Sequence, residues 1–235
     1  MPETLRLPAR PPWTGNAGRT RVKICCIGSE HEAGIALEAG AGLLGLVSAM
    51  PSGPGPIEES RIADIVRWVD GRAATVLLTS RQDARAIEAQ LASMHPDVVQ
   101  LVDELAVPQY ELLRAMHPAV VLMQVIHVRG PGSVDEAVRV APHVDVILLD
   151  SGNPAAAVKE LGGTGRVHDW SVSRAVRDAV EVPVLLAGGL GPANVASAIE
   201  MVRPFGVDVC SGVRSAGQLD GAKVAAFMAA VRAAG

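Results

Sequence analysis

The sequence predicts an α/β fold: a closed (β/α)8 barrel of the TIM type, in a single domain. Three observations predict it. Eight short apolar runs alternate strictly with eight segments of helical spacing. The runs place Val, Ile and Leu at consecutive positions, as strands buried on both faces of a parallel sheet do. Eight such units in roughly 215 residues exceed what a doubly wound sheet usually carries and suit a closed barrel.

The first twenty residues, MPETLRLPARPPWTGNAGRT, read as a flexible extension. They are rich in Pro, Gly and Arg and lack the apolar core of a signal peptide. The barrel is then expected over 21–235. Its strands are VKICCI (22–27), LLGLVS (43–48), ATVLLTS (74–80), DVVQLV (97–102), VVLMQVIHV (120–128), VDVILLD (144–150), VPVLLAG (182–188) and VDVCSG (207–212). Helices fall between them. Ser29-x-x-Glu32, Ser80-x-x-Asp83 and Ser133-x-x-Glu136 resemble capping boxes. In IEESRIADIVRWV the apolar residues Ile62, Ile65, Val66 and Val69 recur at helical spacing. PQYELLRAMHP, WSVSRAVRDAV, NVASAIEMVRP and DGAKVAAFMAAVRAA supply further helices, and Pro118, Pro142 and Pro204 stand where helices should stop.

Composition narrows the function. Of 235 residues 49% are hydrophobic, enough for a sizeable core, while only 3% are aromatic, so Ala, Val, Leu and Gly carry the packing. A formal charge of −4 with no dense Lys/Arg run argues against nucleic acid as a partner. No segment has the ~18 consecutive apolar residues of a membrane span. Three cysteines do not make a disulfide framework, so a cytoplasmic location is expected.

Barrel enzymes carry their chemistry at the C-terminal ends of the strands. Here those ends hold few reactive groups: Cys25-Cys26, His127 and Asp150, with Gly188-Gly189 after strand seven and Ser211-Gly212 after strand eight. The glycines either make tight turns or form an anion cradle of backbone N–H groups, and the last two loops of a barrel commonly bind phosphate. Asp150 is either a general acid or a capping or ion-paired carboxylate. Alternation divides the cysteines. Lys23 and Cys25 share one strand face, Ile24 and Cys26 the other. A buried lysine needs an acidic partner and the polar mouth, so Lys23 and Cys25 face inward and Cys26 faces the helices. A neighbouring cation would raise the thiolate fraction of Cys25, making it a base or nucleophile rather than core filling. Cys26 and Cys210 read as core. No Cys or His stands at metal-ligand spacing, so no metal is expected.

Taken together, VKICCIGS, VDVILLDS, GGTGRVHDWS, VPVLLAGGLGPANVASAI and GVDVCSGVR resemble the phosphoribosylanthranilate isomerase family from about Val22 onward. That resemblance implies a cofactor-independent Amadori rearrangement of a sugar phosphate in tryptophan biosynthesis, by a monomer or homodimer. It makes Cys25 the general base and Asp150 the general acid. It assigns the phosphate to Gly188, Gly189, Ser211 and Gly212, and the sugar hydroxyls to Asp208.

This chain also departs from the family's motifs. Where the family has glycine after the catalytic cysteine, Cys26 stands here. Its Ser-Pro-Arg after strand two, whose arginine binds the anthranilate carboxylate, is replaced by SAMPSGPGPIEES. Its Gln-Leu-His-Gly is Gln100-Leu101-Val102-Asp103, its Phe-Asp-Trp is His168-Asp169-Trp170, and the glutamate after Ser-Gly-Val is Arg214. A charge-assisted bond is worth roughly 1.5–3 kcal/mol. Another cation (Arg129, Arg166 or Arg214) should therefore replace the missing clamp, or the aglycone should differ. Lys23, His127, Asp208 and Arg214 are the expected substrate contacts, and His168 is a further candidate.

Overall fold

A computed structural model describes residues 19–152 and 168–234. The GGTG motif and Arg166 lie outside the described residues, as does the extension before residue 19.

Eight parallel strands close into a barrel, each pairing with the next and β8 returning to β1. They are β1 (Arg21–Ile24), β2 (Leu43–Val47), β3 (Ala74–Thr79), β4 (Val98–Leu101), β5 (Val121–His127), β6 (Val146–Asp150), β7 (Val184–Leu186) and β8 (Gly206–Val209). The helices are α1 (Glu30–Ala39), α2 (Glu59–Val69), α3 (Ala84–Met94), α4 (Val107–Met116), α5 (Gly132–Val140), α6 (Trp170–Ala179), α7 (Val195–Val202) and α8 (Gly221–Ala234). All eight expected strands are present, each within or close to its apolar run. A small antiparallel pair, β9 (Arg214–Ser215) with β10 (Gln218–Leu219), follows β8 and was not anticipated.

The strand wall separates two apolar cores. Leu43, Val47, Val76, Leu78, Met123, Leu148 and Leu185 fill the barrel interior. Leu44, Leu46, Leu77, Val99, Leu122, Ile147 and Leu186 pack outward against the helices. This is the period of two of a pleated strand, with both faces buried. The helices answer with apolar stripes. On α2, Ile62, Ile65 and Val69 are buried while Arg67 and Trp68 are exposed. Burying a side chain such as Ile62 contributes about 1.5–3 kcal/mol, and its truncation to alanine costs about 2–5 kcal/mol.

The helix starts follow capping chemistry, with two corrections. Ser29 caps α1, accepting from the Glu32 N–H at 3.2 Å. Ser80 does not cap α3; Asp83 does, accepting from Ala86 N–H at 2.9 Å. Ser133 lies inside α5, where its hydroxyl accepts from Arg129 N–H. In both, the Ser-x-x-acid spacing is met by chance, because the chain turns into helix at a neighbouring residue. No helix among the described residues is long and apolar enough to cross a membrane.

Candidate active site

The barrel register brings the chemistry together. Lys23 on β1 is directly opposite Asp208 on β8, and His127 on β5 is opposite Asp150 on β6. Above them, at the C-terminal mouth, a cavity opens to solvent. Cys25, Asp150, Asp208, Gly188, Gly189 and Ser211 all line it.

Lys23 is fully buried, and its Nζ donates to Asp208 Oδ1 at 3.0 Å. Burial opposes its charge, but Asp208 and then Cys25 outweigh burial and hold the ammonium above the ordinary lysine range. Burial pushes the Asp208 carboxyl up, against the pull of Lys23. The inward orientation expected of Lys23 and Cys25 is therefore present, with Asp208 as the acidic partner. The thiol of Cys25 is drawn below the ordinary thiol range. The neighbouring Cys26 contributes most to this, and the Lys23 ammonium adds to it against the opposing effect of burial. Gly45 on β2 makes room for the sulfur. A Cβ there would lie 2.8 Å from Cys25 Sγ and 3.1 Å from Lys23 Nζ.

Cys26 does not point into the helix layer: it is buried with the barrel-interior residues, and Cys210 packs half-buried against them. Strand β1 ends at Ile24, and Cys26 adopts a left-handed backbone with φ 64°. Its sulfur lies 2.6 Å from Cys210 Sγ, and both residues line the cavity. Contact with Cys210, then with Cys25, and burial push the Cys26 thiol up. Alternation fails here because it applies only while the chain is extended.

The glycine-rich rim is built from two touching loops. Gly188 and Gly189 have φ of 84° and 63°, a region in which a glycine carries no steric penalty. Asn194, at the start of α7, braces this loop. Its Oδ1 accepts from Gly191 N–H at 2.8 Å and its Nδ2 donates to Gly189 O at 3.0 Å. Gly212, in the helical turn Ser211–Val213, packs against the same loop so closely that a Cβ would fall 2.0 Å from Leu190 O. Asp150, at the end of β6, accepts from its neighbour Ser151 N–H at 2.7 Å. His168 packs behind the rim, its Nε2 2.6 Å from Ser173 Oγ. Burial pushes its imidazole down, with Asp150 opposing that effect.

Three expected substrate contacts are not brought to the cavity wall; one is Lys23, fully buried against Asp208. His127 is buried, with Nε2 2.9 Å from the Val102 carbonyl. Arg214 turns away to Glu32, with Nη1 donating to Oε1 at 2.9 Å. Arg129, one of the proposed replacement cations, faces Glu136. None of the described residues lining the cavity is cationic. No group of three His, Cys, Asp or Glu residues suited to a metal occurs among the described residues. Gly45 against the Cys25 sulfur, Gln100 on the cavity wall and Asn194 under the glycine loop also shape the site, and only Gly45 has no motif in the sequence to mark it. Gln100 is inward-facing by alternation from Val98, a signal available in the sequence.

These features define a (β/α)8-barrel enzyme whose mouth sets three thiols and two carboxylates against a glycine rim. The model of the N-(5′-phosphoribosyl)anthranilate (PRA) isomerase family matches residues 22–230, and the chain belongs to that family of isomerases. The N-(5′-phosphoribosyl)anthranilate isomerase of Halobacterium salinarum is 38% identical over 217 residues, covering 89% of this chain and 94% of that protein. The Haloferax volcanii counterpart is 36% identical over 217 residues, covering 92% and 94%. The phosphoribosyl anthranilate isomerase of Thermotoga maritima superposes with a TM-score of 0.77 at 29% identity, covering 91% of this chain and 99% of that one. A phosphoribosyl anthranilate isomerase solved with reduced 1-(o-carboxyphenylamino)-1-deoxyribulose 5-phosphate superposes at 0.75 with 27% identity, covering 91% and 99%.

Proposed function

We propose that this protein isomerises N-(5′-phosphoribosyl)anthranilate to the corresponding amino-ketose by acid–base chemistry. The observation that carries this reading is that Cys25 and Asp150 line one cavity under a glycine rim. Asp150 protonates the furanose ring oxygen as the C1′–O bond breaks, giving an open-chain Schiff base. The Cys25 thiolate then removes the C2′ proton, and the enolamine tautomerises to the ketose. Both proton transfers stay within the reach of fixed side chains, so the protein's own acid and base suffice for the rearrangement.

The phosphate sits against Gly188, Gly189, Ser211 and Gly212, where backbone N–H groups and the start of α7 favour an anion. Asp208, held by Lys23, receives the sugar hydroxyls. The relative solved with a reduced carboxyphenylamino-deoxyribulose phosphate supports a ligand of this shape. The protein works in the cytoplasm, as a monomer or homodimer.

A second reading is favoured by one observation: no described residue lining the cavity is a cation that could clamp a carboxylate. On that reading the same rearrangement acts on a phosphoribosyl amine with another aglycone. The test is direct. Purified protein mixed with phosphoribosylanthranilate should quench the substrate's fluorescence. Absence of turnover at high enzyme concentration contradicts the first reading. Turnover of an N-phosphoribosyl arylamine that lacks the carboxylate would then establish the second.

A further inference from the structure

Two departures from the family's motifs meet directly behind the catalytic thiol. One is Cys26, in the position of the family's glycine; the other is Arg214, in the position of its glutamate. The Cys26 backbone is left-handed, a conformation in which an L-residue carries a steric penalty and glycine does not. Arg214 Nη2 donates to the carbonyl oxygen of Cys26 and reaches that of Cys25 at 3.4 Å. Its Nη1 donates to Gly217 O and Glu32 Oε1, both at 2.9 Å.

Glu32 completes the frame. Its carboxylate accepts from Gly28 N–H at 2.9 Å and from Leu219 N–H at 2.8 Å. The Glu32–Arg214 pair thus ties the loop after β1 to the β9–β10 pair and to the first turn of α1. A third departure closes the other side. The Cys26 sulfur donates to Pro54 O at 3.5 Å, and a Cβ at Gly55 would fall 2.6 Å from Cys26 Cβ.

We propose that Arg214 is a positioning residue for the general base. Its guanidinium fixes the Cys25 and Cys26 peptides and holds the Cys25 sulfur beside Lys23, supplying the rigidity that a non-glycine residue at 26 requires. Arg214 does this from behind the loop and not from the cavity wall. The inference rests on Cys25 being the base.

The experiment compares Arg214→Gln, Cys26→Gly and the double variant. It reads kcat, KM and the pH dependence of Cys25 alkylation by iodoacetamide, followed by peptide mass spectrometry. In the native background Arg214→Gln should lower kcat about 10- to 100-fold with little change in KM, the signature of a misplaced reacting group. It should also move the Cys25 alkylation midpoint to higher pH. In the Cys26→Gly background the same substitution should lower kcat less than about threefold, because glycine holds the left-handed turn unaided. Equal losses in both backgrounds, or an unchanged kcat, would overturn the inference. A raised KM at constant kcat would overturn it in favour of a substrate contact. Should Arg214→Gln fail to fold because Glu32 is stranded, Glu32→Gln/Arg214→Gln is compared with its Cys26→Gly version in the same way. Full activity in Cys25→Ala would instead remove the base assignment itself, a result separable from all of these.

Discussion

Lys23 and Asp208, paired across β1 and β8, form a buried ion pair at 3.0 Å beneath the thiol of Cys25. The pair does two things at once: it closes the barrel seam with charge, and it presents a fixed ammonium to a cysteine. Removing one partner leaves an uncompensated charge in the interior, at a cost of about 3–5 kcal/mol. Lys23→Met should therefore lower the stability measured by urea unfolding by about that amount. Lys23→Met/Asp208→Leu should recover most of the loss, since an apolar replacement of both charges is often neutral. A double variant as unstable as the single would show that the pair itself, and not the orphaned carboxylate, carries the effect.

The same ammonium, after Cys26, draws the Cys25 thiol down and so bears on the pH dependence expected of a base there. Cys25 is held below the ordinary thiol range, so its thiolate is populated from lower pH than a free cysteine near 8.5. On the acid side kcat/KM should rise with pH through that lowered value and then level. In Asp208→Asn the Lys23 ammonium keeps its pull on Cys25 and a nearby negative charge is lost, so the midpoint should move further down. An upward move would show that Asp208 acts on Cys25 chiefly by holding Lys23 in place.

Gly45 touches the Cys25 sulfur from the neighbouring strand. A methyl group there would lie 2.8 Å from Cys25 Sγ, closer than any normal contact. Gly45→Ala should cost about 1–3 kcal/mol of stability through overpacking. It should also lower kcat by up to about 100-fold by displacing the thiol. Steady-state kinetics on the folded variant checks this; native kcat would mean that the sulfur can shift without consequence.

Glu32 reports the frame behind the site. Burial pushes its carboxyl up, but Arg214 and the backbone N–H groups of Gly28 and Leu219 outweigh that and hold it below the usual carboxylate range. A lowered carboxyl stabilises the fold above its unfolded value near 4.3, and that contribution is lost as pH falls through the folded value. Thermal unfolding followed between pH 7 and pH 3 should therefore show a loss below about pH 4.3 that is smaller in Glu32→Gln. An identical slope in both proteins would contradict the role given to this pair.

Much of this architecture was legible in the sequence because burial writes itself into composition. Strands such as Leu43–Val47 and Val146–Asp150 are apolar on both faces, and only a covered parallel sheet accounts for eight such runs. The inward placement of Lys23 and Cys25 followed from alternation and the cost of burying an ammonium. What escaped depends on backbone turns and distant partners. Cys26 was misplaced because β1 ends at Ile24 and the next turn is left-handed, which local alternation does not encode. Arg214 was expected at the substrate because its true partner, Glu32, is 182 residues away in the chain. The serine caps at Ser80 and Ser133 were misread because a capping spacing recurs by chance.

The proposed roles of Cys25 as base and Asp150 as acid are read out together by phosphoribosylanthranilate turnover in Cys25→Ala and Asp150→Asn, each confirmed as folded by circular dichroism. Acid–base catalysis contributes about 10²–10⁴-fold, so each variant should lose at least about 100-fold in kcat while still binding inorganic phosphate at the rim. A variant that keeps kcat within tenfold of the native protein, about 1.4 kcal/mol in barrier, would contradict the role assigned to its residue.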